Sequence, residues 1–321
     1  FAIPDSDPNC TYFNRCAIAL NGPLPLINDT TGMTTVDATG LLDQISVSGE
    51  ATHQVFSVAS GAGLTLLQLD VGFGYASGSG GAIYNDGGEV VVDACTFQSN
   101  VAVLYGGAIY NQQFGDLTVH NSTFLGNSAQ FGGAIDNDLG TMEVFNSTFS
   151  QNLASYGGGV SGSSGHILNS TFFGNAADGV VLLNEVDEAA KARAANGRAA
   201  LSAVSDFGGA VYHYYEAGTL DVQNSLFANS TAGNNCDGQV IGPVDAGFNI
   251  SDDASCGFSG TSLDSTDPQL DAAIAFNGGP TLTHFLDDTS PAIDFVTAGI
   301  APVVDQRGCL LYTSPSPRDA T

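Results

Sequence analysis

The 321-residue chain predicts an all-β fold, a single-stranded parallel β-helix with three strands per coil, on three observations. The first is a repeated glycine phrase: Gly80-Gly81-Ala82-Ile83, Gly106-Gly107-Ala108-Ile109, Gly132-Gly133-Ala134-Ile135, Gly157-Gly158-Gly159-Val160 and Gly208-Gly209-Ala210-Val211. The second is a partner phrase in step with it: Ala94-Cys95-Thr96-Phe97, Asn121-Ser122-Thr123-Phe124, Asn146-Ser147-Thr148-Phe149, Asn169-Ser170-Thr171-Phe172 and Asn224-Ser225-Leu226-Phe227. The third is the spacing of about 25 residues, the period of a solenoid whose repeats each bury an apolar face against a neighbour.

Residues 106–130 show why each repeat breaks into strands. Ala108 to Asn111 is a short β-prone run, Gln112 to Asp116 is turn-like, and Leu117-Thr118-Val119-His120 alternates apolar with polar. Ser122-Thr123-Phe124 is a third run, closed by Gly126-Asn127. Short runs between Gly and Asn read as strands and turns, and none has the i, i+3, i+4 apolar spacing of an amphipathic helix. Stacking would place Ile83, Ile109, Ile135, Val160 and Val211 in one aliphatic column, and Phe97, Phe124, Phe149, Phe172 and Phe227 in an aromatic one. Asn121, Asn146, Asn169 and Asn224 would form an amide ladder, because Asn tolerates the left-handed corner and stacked amides bond one another.

One interval is long. Phe172 to Phe227 is 55 residues, one coil plus about 28, so 178–205 reads as an insertion that leaves the register intact. Its Ala-rich middle, Glu185 to Ala195, pairs Asp187 with Lys191 at i, i+4 and predicts a short helix ended by Asn196-Gly197. The organisation expected is an irregular N-terminal cap over 1–49, about 9–10 coils over 50–308, and a segment 309–321 that fits no repeat and reads as a non-native read-through tail. A first residue of Phe rather than Met suggests that a signal peptide has been removed or lost.

Composition narrows the partners. Thirty-three Asp and Glu stand against six Lys and Arg, for a net charge of −27. Such a surface repels nucleic acid and anionic membranes. No run of 18 apolar residues exists to span a bilayer as a helix. The cysteines favour an oxidising compartment, with Cys10–Cys16 and Cys236–Cys256 as candidate bridges. Cys95 stands in the column of Ser122, Ser147, Ser170 and Ser225 and is expected to be a free, buried small residue.

After Phe227 the chain carries Asp267-Pro268-Gln269-Leu270, Asn277-Gly278-Gly279-Pro280-Thr281-Leu282-Thr283-His284, Ser290-Pro291-Ala292-Ile293-Asp294 and Asp305-Gln306-Arg307-Gly308. With these motifs the chain resembles right-handed parallel β-helix repeat proteins of the secreted choice-of-anchor Q type. Its Gly-Gly-Ala-Ile and Phe-x-x-Asn repeats are similar to those of chlamydial polymorphic outer-membrane proteins. The resemblance implies a right-handed, pectin-lyase-like coil, secreted or at the cell surface, usually with no established catalytic function.

Two classes of function fit, and the fold alone does not choose between them. The favoured one is a non-enzymatic scaffold or adhesin that contacts polysaccharide or a cell-surface glycan. The other is a carbohydrate-active enzyme, a polysaccharide hydrolase or lyase. A lyase needs a cation beside the proton it removes, yet residues 80–177 contain no Lys or Arg. A hydrolase needs two facing carboxylates, for which Asp136 and Asp138 are the candidates, with Glu143 on the following strand. Asp136 stands where sister repeats carry Tyr84 and Tyr110. Asp116, Asp136 and Asp138 on adjacent turns are the candidate set for Ca²⁺, a cation that takes oxygen ligands; no other cofactor is expected. His213-Tyr214-Tyr215 is a candidate aromatic patch for stacking on sugars.

Overall fold

A computed structural model describes residues 10–11, 15–40, 45–178, 208–214, 218–238, 242–296 and 305–307. Among them the fold is all-β, with no helix, and therefore none long and apolar enough to cross a membrane. The chain winds through eight coils, at 27–48, 56–72, 83–98, 109–125, 135–150, 160–173, 211–228 and 236–251, against the nine to ten expected. The difference lies at the C-terminal end: the segment after 267 leaves the coil and pairs Leu270–Ala275 antiparallel with Thr283–Leu286. At the other end, Met33–Asp37 and Ile45–Ser48 already pair parallel with the next coil, so winding begins upstream of residue 50. The predicted helical insertion lies outside the described residues.

Each coil contributes one strand to each of three parallel faces, except that the first coil meets the first face only through the Ile27–Val58 bridge. The first face holds Phe56–Val58, Ile83–Asp86, Ile109–Gln112, Ile135–Asp138, Val160–Gly162, Val211–His213 and Cys236–Gly238. The second face contains Glu89–Asp93, Asp116–His120 and Thr141–Phe145, and the third Thr96–Gln98, Thr123–Leu125 and Thr148–Ser150. Phe97 pairs with Phe124, Phe124 with Phe149, and Phe149 with Phe172, as their equal sequence phase requires. Their rings, with Phe227, stack at 4.7–5.0 Å and within 8° of coplanar, all fully buried. Such spacing is the strand separation itself, so ring contact and strand pairing reinforce each other. Phe258 closes the column at 5.6 Å with a tilted ring, beside the Cys236–Cys256 disulfide.

The glycine pair makes the corner into the first face. Gly106 has φ +58°, and a Cβ on Gly107 would run into the carbonyl oxygen of Gly133 in the next coil. A side chain on Gly107 would push the coils apart, and one on Gly106 would strike the Ile109 carbonyl of its own coil.

Polar residues inside the coil are joined in rows. Asn100, Asn127, Asn152 and Asn175 are fully buried, each Nδ2 donating to the Oδ1 of the next at 2.9–3.0 Å. Asn85, Asn111 and Asn137 repeat the pattern at 2.7 Å. The backbone N–H of Cys95, Ser122, Ser147 and Ser170 donates to the Oγ of the serine one coil on, at 3.1–3.3 Å. Cys95 is the free, buried member of that spine, and burial pushes its thiol up to about 12. Truncating a central rung leaves its neighbours unsatisfied. Asn152→Ala strips an acceptor from Asn127 and a donor from Asn175 and the Phe124 carbonyl. The expected loss is about 3 kcal/mol, read from denaturant unfolding of the variant.

The motif-rich tail lies across the third face as a strap. Thr281 Oγ1 donates to the Asn121 carbonyl at 2.9 Å, and Thr123 Oγ1 to that of Leu282 at 2.6 Å. Gln306 accepts from Thr148 Oγ1 at 2.7 Å and donates to Thr123 Oγ1 at 3.1 Å. His284 meets Ser150 Oγ at 3.0 Å and packs its ring on Phe173 at 4.3 Å.

Candidate functional site on the first face

Residues alternate direction along the first-face strands. Ile109 and Asn111 point into the coil, so Tyr110 and Gln112 point out. The outward row through Tyr84, Tyr110, Asp136, Ser161 and Tyr212 is therefore continuous, each paired with its neighbour in register. A second outward row two residues on carries Asp86, Gln112, Asp138, Ser163 and Tyr214. The two rows are cross-linked: Tyr84 hydroxyl donates to Gln112 Oε1 at 2.8 Å and Tyr110 hydroxyl to Asp138 Oδ2 at 3.3 Å. Beside them, Tyr105, Phe131 and Tyr156 form a half-buried ladder of rings at 5.3 and 4.6 Å.

Asp136 sits at the centre and is fully buried. Its Oδ2 accepts from Ser161 Oγ and its Oδ1 from the Tyr214 hydroxyl at 3.0 Å. Burial pushes its carboxyl up to about 7, the two hydroxyls pulling the other way and the Asp138 charge adding to the rise. Burial, with the Asp136 and Asp138 charges, raises the phenols of Tyr110 and Tyr214 above the ordinary tyrosine range. Both stay protonated and act as donors. His213 of the candidate aromatic patch is buried, with Nε2 at 3.2 Å from the Ser163 carbonyl; Tyr215 lies outside the described residues.

The other acids are elsewhere. Asp116 and Glu143 stand exposed on the second face, where Asp116 accepts from Thr141 Oγ1 and Glu143 lies beside His166 in register. The Ca²⁺ set is thus divided between two faces, and among the described residues no group of three or more His, Cys, Asp or Glu is arranged to hold a metal ion. The corner residues Asn121, Asn146, Asn169 and Asn224 have φ of 50–53°. Asn146 Nδ2 donates to Asn121 Oδ1 at 3.4 Å, and Asn224 to Asn169 at 3.0 Å. Cys10 and Cys16 face one another in antiparallel register; their side chains lie outside the described residues. The Cys236–Cys256 bridge is formed.

Sequence reasoning missed Ser161 and Tyr214 as partners of Asp136, and Tyr110 as the partner of Asp138. The signal was the break at Ser161-Gly162-Ser163, where the three preceding repeats carry Tyr or Asp, then Asn, then Gln or Asp, and the following one Tyr212-His213-Tyr214.

Stacked columns, parallel faces and a repeated corner define a β-helix repeat protein. Within it, residues 94–112 match the Chlamydia polymorphic membrane protein repeat. These residues run from the third-face strand of one coil, through the glycine corner, to the first-face strand of the next. No curated protein and no solved structure matches the chain.

Proposed function

We propose that the chain is a non-enzymatic surface scaffold or adhesin whose first face contacts a neutral glycan. The observation that carries this reading is the ring ladder of Tyr105, Phe131 and Tyr156 beside the polar row of Asp86, Gln112 and Asp138. Sugar rings lay their apolar C–H faces on aromatic side chains while their hydroxyls pair with a few fixed polar groups. A net charge of −27 disfavours anionic polysaccharide. The polymorphic membrane protein repeat and the disulfide support a location at the surface, outside the cell. Kinship with choice-of-anchor Q proteins belongs to the same proposal and rests on the tail motifs that build the strap.

A hydrolase is the second reading. Asp136 and Asp138 share one strand face, their Cα atoms about 6.6 Å apart by strand rise, and an inverting glycosidase works with such a pair of carboxyl groups. Complete burial of Asp136 weighs against it. A glycan array run with a reducing-sugar assay on the purified protein separates the two. Retention of neutral glycans without release of reducing ends is expected. Release of oligosaccharides would overturn the scaffold reading in favour of the enzyme.

A further inference from the structure

The rung that carries Ser161 is low. Its outward side chains are Ser161 and Ser163, with Gly162 between them, whereas the rungs on either side carry Asp136 with Asp138 and Tyr212 with Tyr214. Small side chains between taller neighbours leave room one coil wide above the backbone, a hollow that is filled, with Ser161 and Ser163 both buried. Tyr214 crosses it. From the rung of Tyr212 its hydroxyl reaches back two coils to Asp136 Oδ1 at 3.0 Å, so its ring lies over the serines. Phe131 meets that ring edge-on at 6.5 Å, Tyr212 lies 6.5 Å from it, and Tyr156 stacks on Phe131 and contacts Tyr212. The hollow thus has a fully buried carboxyl at its inner end, a serine floor and aromatic walls.

We infer that the hollow over Ser161 is a subsite for a neutral sugar ring, held closed by the chain's own Tyr214. The inference rests on the glycan reading above and adds its place and its control. A phenol offers a flat ring and one donating hydroxyl. A pyranose offers an apolar ring face and several such hydroxyls, so each satisfies the same walls and the same acceptor. Ligand entry requires Tyr214 to give up its bond to Asp136, and the ring that replaces it restores that bond. Affinity is therefore reduced by the fraction of molecules in which Tyr214 holds the site.

Three proteins test this: the wild type, Tyr214→Ala, which empties the hollow, and Tyr214→Phe, which keeps the ring and loses its hydroxyl. In phenol at about 10 mM the melting temperature of Tyr214→Ala should rise by about 3 °C, while that of the wild type stays unchanged. No rise means that no formed hollow lies beneath Tyr214, and the inference falls. On a neutral-glycan array, retention by Tyr214→Ala should exceed the wild type by about tenfold and by Tyr214→Phe by about fivefold, the worth of one hydrogen bond. Should Tyr214→Ala fail to fold, Tyr214→Phe carries the comparison. Equal retention by all three proteins overturns the subsite and leaves the glycan reading standing. No retention by any of them overturns that reading and the subsite together.

Discussion

Phe149→Ala is expected to cost about 4 kcal/mol of stability. Phe149 lies midway in the aromatic column, 4.8 Å from Phe124 and 4.7 Å from Phe172, and is fully buried. Truncation removes the transfer free energy of the ring and leaves a void that the flanking phenylalanines cannot fill, because strand pairing fixes their separation. Stability in a solenoid is roughly a sum of repeats and the interfaces between them, so one truncation weakens two interfaces. Guanidinium unfolding of the variant measures the loss. Phe149→Leu, which refills most of the space, should lose less than half as much. A loss below about 1 kcal/mol for the alanine variant would mean that the ring column contributes little to folding.

The second large effect is on pH. In the folded chain burial holds Asp136 at about 7, against 3.8 for an ordinary aspartate. The folded state thus binds the proton more tightly than the unfolded state. The stability this contributes is fully present below pH 4 and is lost as pH rises through 7. Between pH 5 and pH 8 the loss amounts to about 3 kcal/mol. Asp136→Asn keeps an acceptor for Tyr214 or Ser161 and carries no proton to lose, so its stability should change far less across that interval. Asp245, whose burial pushes its carboxyl up but whose donors from Ser259, Ser262, Asn249 and Gly247 together hold it low, acts in the opposite sense and loses its contribution as pH falls below 4. Stability should therefore peak near pH 4–5. Urea midpoints at pH 5 and pH 8 for the wild type and Asp136→Asn give the answer, and equal slopes for the two proteins would remove Asp136 as the cause.

What repeats was legible in the sequence. The phenylalanine column and the glycine corner recur in phase, and parallel pairing obliges residues in phase to stack. The buried asparagines were legible in type and not in role. Asn111 and Asn127 sit inside the same phrases as Ile109 and Phe124, but their direction into the coil follows from strand register, which the sequence does not print. Weight fell instead on Asn121 and its equivalents, whose left-handed corner is apparent from residue type alone.

What occurs once was hidden. The strap joins Gln306 to Thr123 across 183 residues, and no periodicity marks such a contact. Its motifs resembled those of other tails while giving no hint that they cover the third face. Asp136 was noticed as an interruption of the tyrosine row, and its burial was missed because the side chain that covers it, Tyr214, is 78 residues away. A carboxylate in an outward row reads as solvated until its cover is known. Likewise Asp116 and Asp136, close in a list of acids, belong to strands facing different directions.

The strand-pairing hydrogen bonds between coils run across the strands and so along the axis, and traction on the two ends would load the rungs in series and part the weakest first. The strap acts as a splint against such a force. Its contacts at Thr123, Thr148 and Phe173 bridge three consecutive coils, and those coils carry Asp136 and Ser161. Pulled lengthwise, the molecule should open at its unsplinted stretches while the middle, with its recessed rung, keeps its shape.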